Sequence, residues 1–164
     1  MQLDGSCYCG EVKFTCVSRT PYPYMRCYCS ICRKTAGGGG YAINIMALYD
    51  SLKIEGEEHI NSFHPKQEHP DNPDKLVESR GKRYFCKHCG TALWAYDERW
   101  AEWIYLHASC IDTALPKVPE TTHIMLEFKA TWCETEIGEN DKQFSRYPEE
   151  SIADWHQRLK LTEE

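Results

Sequence analysis

The sequence predicts a mainly β domain in which cysteine clusters hold metal, and three observations carry that reading. Short runs alternate apolar and polar residues with period two. Turn residues separate these runs at regular intervals, without the long helical segments of a βαβ pattern. Cysteines fall in tight, ligand-spaced groups.

The elements follow in order. Val12, Phe14 and Cys16 alternate with Glu11, Lys13 and Thr15, the pattern of a half-buried strand. Further strands are expected over 41–48, 52–55, 82–85, 92–96, 103–109 and 123–132. Residues 56–75 are polar and hold Pro65, Pro70 and Pro73 with His59, His64 and His69, which reads as a long surface excursion with solvated histidines. Ser151 with Asp154 three positions later resembles a capped helix start, although the usual capping box has Glu or Gln there. Ile152, Trp155 and Leu159 then share a face, so a short C-terminal helix is expected to pack on the sheet. No repeat or domain boundary interrupts the chain, which reads as one zinc-binding domain over 1–164.

With 164 residues the chain can bury a sizeable core. Asp and Glu outnumber Lys and Arg by 25 to 19, a net charge of -6. This balance argues against nucleic acid as a partner, because such affinity comes largely from neutralising phosphates. No apolar run reaches the roughly 18 residues of a membrane span. Residues 1–10 lack a basic start followed by an apolar run, so no secretory signal is expected and a cytoplasmic location is. The ten cysteines make up about 6% of the chain, below the roughly 8–10% of a disulfide scaffold. In a reducing compartment such thiols read as metal ligands.

Seven of these cysteines divide into four plus three. Cys7 and Cys9, taken as alternate residues at the start of a strand, point the same way and can bite one ion. Cys86 and Cys89 form a CxxC knuckle with Gly90 available for a left-handed turn. Together they offer a full tetrahedral shell, the mark of a structural zinc. Cys27, Cys29 and Cys32 offer three ligands and leave one position open, the mark of a catalytic zinc. Two zinc ions per chain are expected. Three thiolates and Zn²⁺ sum to a charge of -1, so strong activation of water is disfavoured. A soft, sulfur-rich shell suits another thiolate as fourth ligand, which points to a thiol substrate. The adjacent Arg26, Arg33 and Lys34 could receive its carboxylates. The competing arrangement is a second structural zinc closed by Cys16, Cys110, Cys133, His88 or His107. No general acid or base is identified, though Tyr28, Ser30 and His88 lie near the ligands in sequence.

Three segments resemble the glutathione-dependent formaldehyde-activating enzyme family, which includes centromere protein V. They are Gly5-Ser6-Cys7-Tyr8-Cys9-Gly10-Glu11-Val12, Cys27-Tyr28-Cys29-Ser30-Ile31-Cys32-Arg33-Lys34 and Phe85-Cys86-Lys87-His88-Cys89-Gly90-Thr91. Ile111-Asp112, His123-Ile124 and Trp132 extend the resemblance, which covers about residues 4–148. It implies a β-tent fold of small antiparallel sheets pinned by zinc. It implies a structural zinc on Cys7, Cys9, Cys86 and Cys89 and a catalytic zinc on Cys27, Cys29 and Cys32. It also implies a carbon–sulfur lyase of the S-(hydroxymethyl)glutathione synthase type, acting on glutathione and formaldehyde or on another thiol adduct. The alternative is a non-catalytic thiol carrier, or a zinc-binding interaction module like centromere protein V.

Overall fold

The computed structural model describes residues 1–161. Gln2–Ser6 (β1) pairs antiparallel with Lys13–Val17 (β2), with Leu3 opposite Cys16. Period-two alternation buries Leu3, Phe14 and Cys16 and leaves Lys13 exposed. Met25–Cys27 (β3) leads into a short helix, Ser30–Thr35 (α1). Ala42–Leu48 (β4) follows, then Lys53–Glu55 (β5), which joins β2 to complete a three-stranded sheet.

Ile60–Phe63 (β6), Lys66–His69 (β7), Asn72–Glu78 (β8), Lys82–Cys86 (β9), Ala92–Tyr96 (β10) and Trp103–His107 (β11) come next. Thr122–Ile124 (β12), Lys142–Gln143 (β13) and the helix Ile152–Arg158 (α2) complete the chain's elements. The principal sheet runs β13-β12-β3-β4-β11-β10-β9-β6, and β7 with β8 forms a separate two-stranded ribbon. Pairing is antiparallel throughout except at one edge, where β12 runs parallel to both β3 and β13. The mainly β, tent-like expectation with a short C-terminal helix holds, although the principal sheet has eight strands.

The core lies between the three-stranded sheet and one face of the principal sheet. Leu3, Val12, Phe14 and Cys16 meet Ile45, Ala47, Trp94, Ile104 and Leu106 there. Phe14 meets Trp94 edge-on at 5.5 Å between ring centroids. Each such side chain contributes about 1.5–3 kcal/mol through burial.

Three expectations change. Residues 56–75 lie at the surface as expected but are not loop throughout, because β6, β7 and the start of β8 lie within them. The ribbon is mostly polar on both faces, so no alternation betrays it. The Ser79 N–H bonds the Pro65 carbonyl (2.8 Å) to close its base, and Arg146 reaches Glu68 (2.9 Å) on it. The expected strand over 123–132 ends at Ile124. Met25 to Cys27 pair along its three residues, after which Met125 turns left-handed (φ 60°). The Met125 N–H then goes to the Arg146 carbonyl, and a 3-10 turn occupies Leu126–Phe128. The expected strand over 103–109 likewise ends at His107, before a 3-10 turn over Ala108–Cys110.

The C-terminal helix forms as the pattern requires. Ser151 caps it through its hydroxyl, which accepts from the Asp154 N–H (3.1 Å), and Asp154 completes a capping box in place of the usual Glu. Trp155 is fully buried and stacks on Tyr24 at 3.8 Å. No helix among the described residues is long and apolar enough to cross a membrane.

Candidate metal centres

Two turns build the four-cysteine group. Cys7-Tyr8-Cys9-Gly10 follows the end of β1, and Cys86-Lys87-His88-Cys89-Gly90 follows β9. Cys7 and Cys9 therefore converge through a turn rather than through strand alternation. The two turns match in their bonding. The Cys7 N–H bonds Val12 O and the Gly10 N–H bonds Cys7 O, while the Cys86 N–H bonds Thr91 O and the Gly90 N–H bonds Cys86 O. Gly10 (φ 80°) and Gly90 (φ 74°) supply the left-handed residue that each turn needs.

The four sulfurs lie within 4.8 Å of one another. Cys7 Sγ is 3.5 Å from Cys9 Sγ, which is 3.7 Å from Cys86 Sγ. A tetrahedron with Zn–S of about 2.3 Å has edges of about 3.8 Å, so the group fits zinc without rearrangement. The backbone N–H of Val12 donates to Cys7 Sγ at 3.2 Å, as a thiolate ligand favours. Burial would raise the Cys89 thiol, but hydrogen bonds from Thr91 outweigh it and bring Cys89 down to about 5.

The three-cysteine group sits where β3 passes into α1. Cys27 ends the strand, Cys29 caps the helix and Cys32 lies one turn in, so a short helix does the wrapping expected of a loop. The Cys32 N–H donates to Cys29 Sγ at 3.4 Å. All three sulfurs lie within 4.8 Å of one another, beside a small apolar cluster of Ala42, Ile124, Met25 and Phe144. Hydrogen bonds from Cys27 and Cys32 draw the Cys29 thiol down to about 2, while bonds with Cys29 and Cys32, then burial, drive Cys27 far up. Three packed thiols thus cannot all ionise alone, and a divalent cation is the natural replacement for the protons they share.

Among the described residues no fourth Cys, His, Asp or Glu joins this group. Cys16 bonds Ser51 and the Leu48 carbonyl; Cys110 bonds the carbonyls of Leu93 and His107. Cys133 bonds the Gly39 carbonyl, and His88 pairs with His59 beside the four-cysteine group. Two cysteine groups able to hold metal are therefore present, one with four sulfurs and one with three.

The three basic residues near the second group are placed differently. Arg26 precedes Cys27 in β3, so its side chain leaves the opposite face, where its guanidinium lies 4.9 Å above the Tyr41 ring. Lys34 is exposed on α1. Arg33 is half-buried, and its Nε is buried without a partner. On the Arg26 side, Tyr28 Oη lies 2.9 Å from Nδ1 of buried His123, whose Nε2 is 3.4 Å from Asp141. Burial raises the Tyr28 hydroxyl to about 12, against the pull of Arg26.

Two neighbours have no local signal in the sequence. Arg83 on β9 acts electrostatically on Cys32, and exposed Tyr147 lies within electrostatic reach of all three thiols and of Arg83. Both come from segments remote from residues 27–32. The only hint is a charged residue inside a strand whose neighbours are aromatic, Lys82-Arg83-Tyr84-Phe85.

The chain is similar to known proteins. A Halomonas elongata protein, provisionally named a glutathione-dependent formaldehyde-activating enzyme, is 50% identical over 163 residues, 99% of each chain. A Rhodobacter sphaeroides protein of known crystal structure matches at 22% identity with a TM-score of 0.49, over 71% of this chain and 92% of that one. The family profile for glutathione-dependent formaldehyde-activating enzymes matches residues 2–128, which include both cysteine groups, and the chain belongs to that family.

Proposed function

We propose that this protein is a zinc-dependent carbon–sulfur lyase of the S-(hydroxymethyl)glutathione synthase type. In this reading Cys7, Cys9, Cys86 and Cys89 hold a structural zinc, and Cys27, Cys29 and Cys32 hold a catalytic one. The observation that carries it is the set of three close sulfurs that no fourth protein ligand completes among the described residues. Membership of a glutathione-dependent formaldehyde-activating family supports a thiol and an aldehyde as the substrates of this reading.

A zinc ion on the three thiolates would lower the pKa of an incoming thiol and hold its sulfur as thiolate. The electron pair of a thiolate held beside Cys27, Cys29 and Cys32 would form the new bond to the formaldehyde carbon. The carbonyl π pair moves to oxygen, which takes up a proton and becomes the hydroxyl of the adduct. The reverse step breaks the same C–S bond. Arg33, beside Cys32, contributes positive charge for a carboxylate of the substrate. Such thiolate sites need a reducing compartment, so we place the protein in the cytoplasm.

The test is exchange NMR on glutathione and formaldehyde at equilibrium. The zinc protein should accelerate adduct exchange well beyond the spontaneous rate, and Cys29→Ala should remove the acceleration. Glutathione binding without acceleration would leave a thiol carrier. DNA retardation at low salt without thiol binding would favour an interaction module.

A further inference from the structure

Asn44 Oδ1, His107 Nδ1 and Arg83 Nε are three of the buried polar atoms on the principal sheet that have no hydrogen-bond partner among the described residues. A buried polar atom that nothing meets is destabilising. Strand register places all three on one face. Arg83 pairs with Ala95, Ala95 with Tyr105, and His107 lies two residues beyond Tyr105 on β11. Asn44 is directly opposite His107. Ala42, two residues before Asn44, is directly opposite Cys27. Paired residues, and residues two apart, project to the same side of a sheet. The alternate residues Ile45, Leu106, Trp94 and Tyr84 instead join the main core on the other side. One face therefore carries a continuous row from Cys27 through Asn44 and His107 to Arg83.

The chemistry of the row is that of a receptor for a small peptide. Arg83 offers a guanidinium to a carboxylate. Asn44 offers a carbonyl oxygen to an amide N–H. Burial, with Arg83 nearby, lowers His107 to about 4, so its ring is neutral at pH 7 and can meet a peptide group without adding charge.

We infer that Asn44, His107 and Arg83 form the subsite for the body of a carboxylate-bearing peptide thiol whose sulfur sits at the three-cysteine group, with Arg83 taking a carboxylate. This rests on the thiol-site reading above. It makes Arg83 a specificity determinant that separates peptide thiols from simple ones.

Cobalt-substituted protein tests it, with glutathione and 2-mercaptoethanol titrated into wild type, Arg83→Met and Arg83→Lys. Sulfur-to-cobalt charge-transfer absorption reports thiol ligation, and the tetrathiolate bands of the first site report an intact fold. Arg83→Met should weaken glutathione by about ten- to a hundred-fold and leave 2-mercaptoethanol within about twofold, a change too small to matter against one decade. Arg83→Lys should recover part of the loss. Calorimetry on the zinc protein should give the same order. Equal effects on the two thiols, or none on either, would overturn the subsite while leaving the thiol site standing. If neither thiol alters the wild-type spectrum, the thiol-site reading fails and the subsite falls with it.

Discussion

Cys9 and Cys86 lie 77 positions apart in the chain, yet their sulfurs stand 3.7 Å from each other. A metal held there ties the turn after β1 to the end of β9, in the same core that joins the two sheets. Zinc binding at such a site is folding free energy. Cys86→Ala should therefore cost roughly 4 kcal/mol or more, which is about 10 °C or more in Tm for a chain of this size. Cys29→Ala removes a helix cap and one ligand at the end of a single strand, for about 1 kcal/mol from the cap itself. Thermal unfolding followed by circular dichroism should rank the two, and equal losses would refute the division of roles.

Metal content should follow the same division. Elemental analysis of folded, reduced protein should find about two zinc ions per chain, from the four-plus-three ligand count. Graded chelation should remove one ion early and one late. The early loss should belong to the three-sulfur group, and Cys29→Ala should abolish that phase alone. A single ion, or two that leave together in wild type, would sink the two-site arrangement.

The cysteine groups are legible in the sequence because ligand spacing is local: two residues apart, or three, beside a glycine that can turn. The strands of the principal sheet are legible for a similar reason, since short, largely apolar runs such as 42–48 and 92–96 stand between turn residues. The β7–β8 ribbon is not legible. Its strands bury little on either face, and polar loop residues such as Pro70, Asn72 and Pro73 fill it. The helix at Ser30–Thr35 is hidden for another reason, because six residues containing a cysteine ligand carry no apolar face. Arg83 is the instructive omission. Its closeness to Cys32 follows from the order of five strands, which no local pattern encodes. Arg26 shows the converse, since adjacency to Cys27 in a strand sends its side chain to the other face.

His107 should make stability depend on pH. Burial, then the Arg83 charge, lower its folded-state pKa to about 4 against 6.5 when unfolded. The unfolded chain therefore binds the extra proton between these values, and stability falls as pH drops from about 6.5 towards 4. From pH 7 to pH 5 the loss from this one group should be about 2 kcal/mol. Urea unfolding of wild type and His107→Gln at pH 7, 6 and 5 would show it, with the variant losing less over that range. Parallel pH profiles would mean that His107 is not the group responsible.

Trp155 links the C-terminal helix to the three-cysteine group. Its ring stacks at 3.8 Å on Tyr24, the residue before β3, and its Nε1–H donates to Glu120 at 3.1 Å. Arg158 on the same helix bonds both Glu120 and Glu150, so α2 is held to the segment before β12 as well. Strands β3 and β12 run side by side and end at Cys27 and Ile124. Trp155→Ala should cost about 3–5 kcal/mol through the cavity it leaves, whereas Ser151→Ala, which removes only the helix cap, should cost about 1 kcal/mol. The larger change should also loosen the end of β3. In a chelator competition Trp155→Ala should speed metal loss from the three-sulfur group and leave the four-sulfur group, at the far side of the sheet, near its wild-type rate. Uniform acceleration at both sites would show a global loss of stability instead of a local support for Cys27.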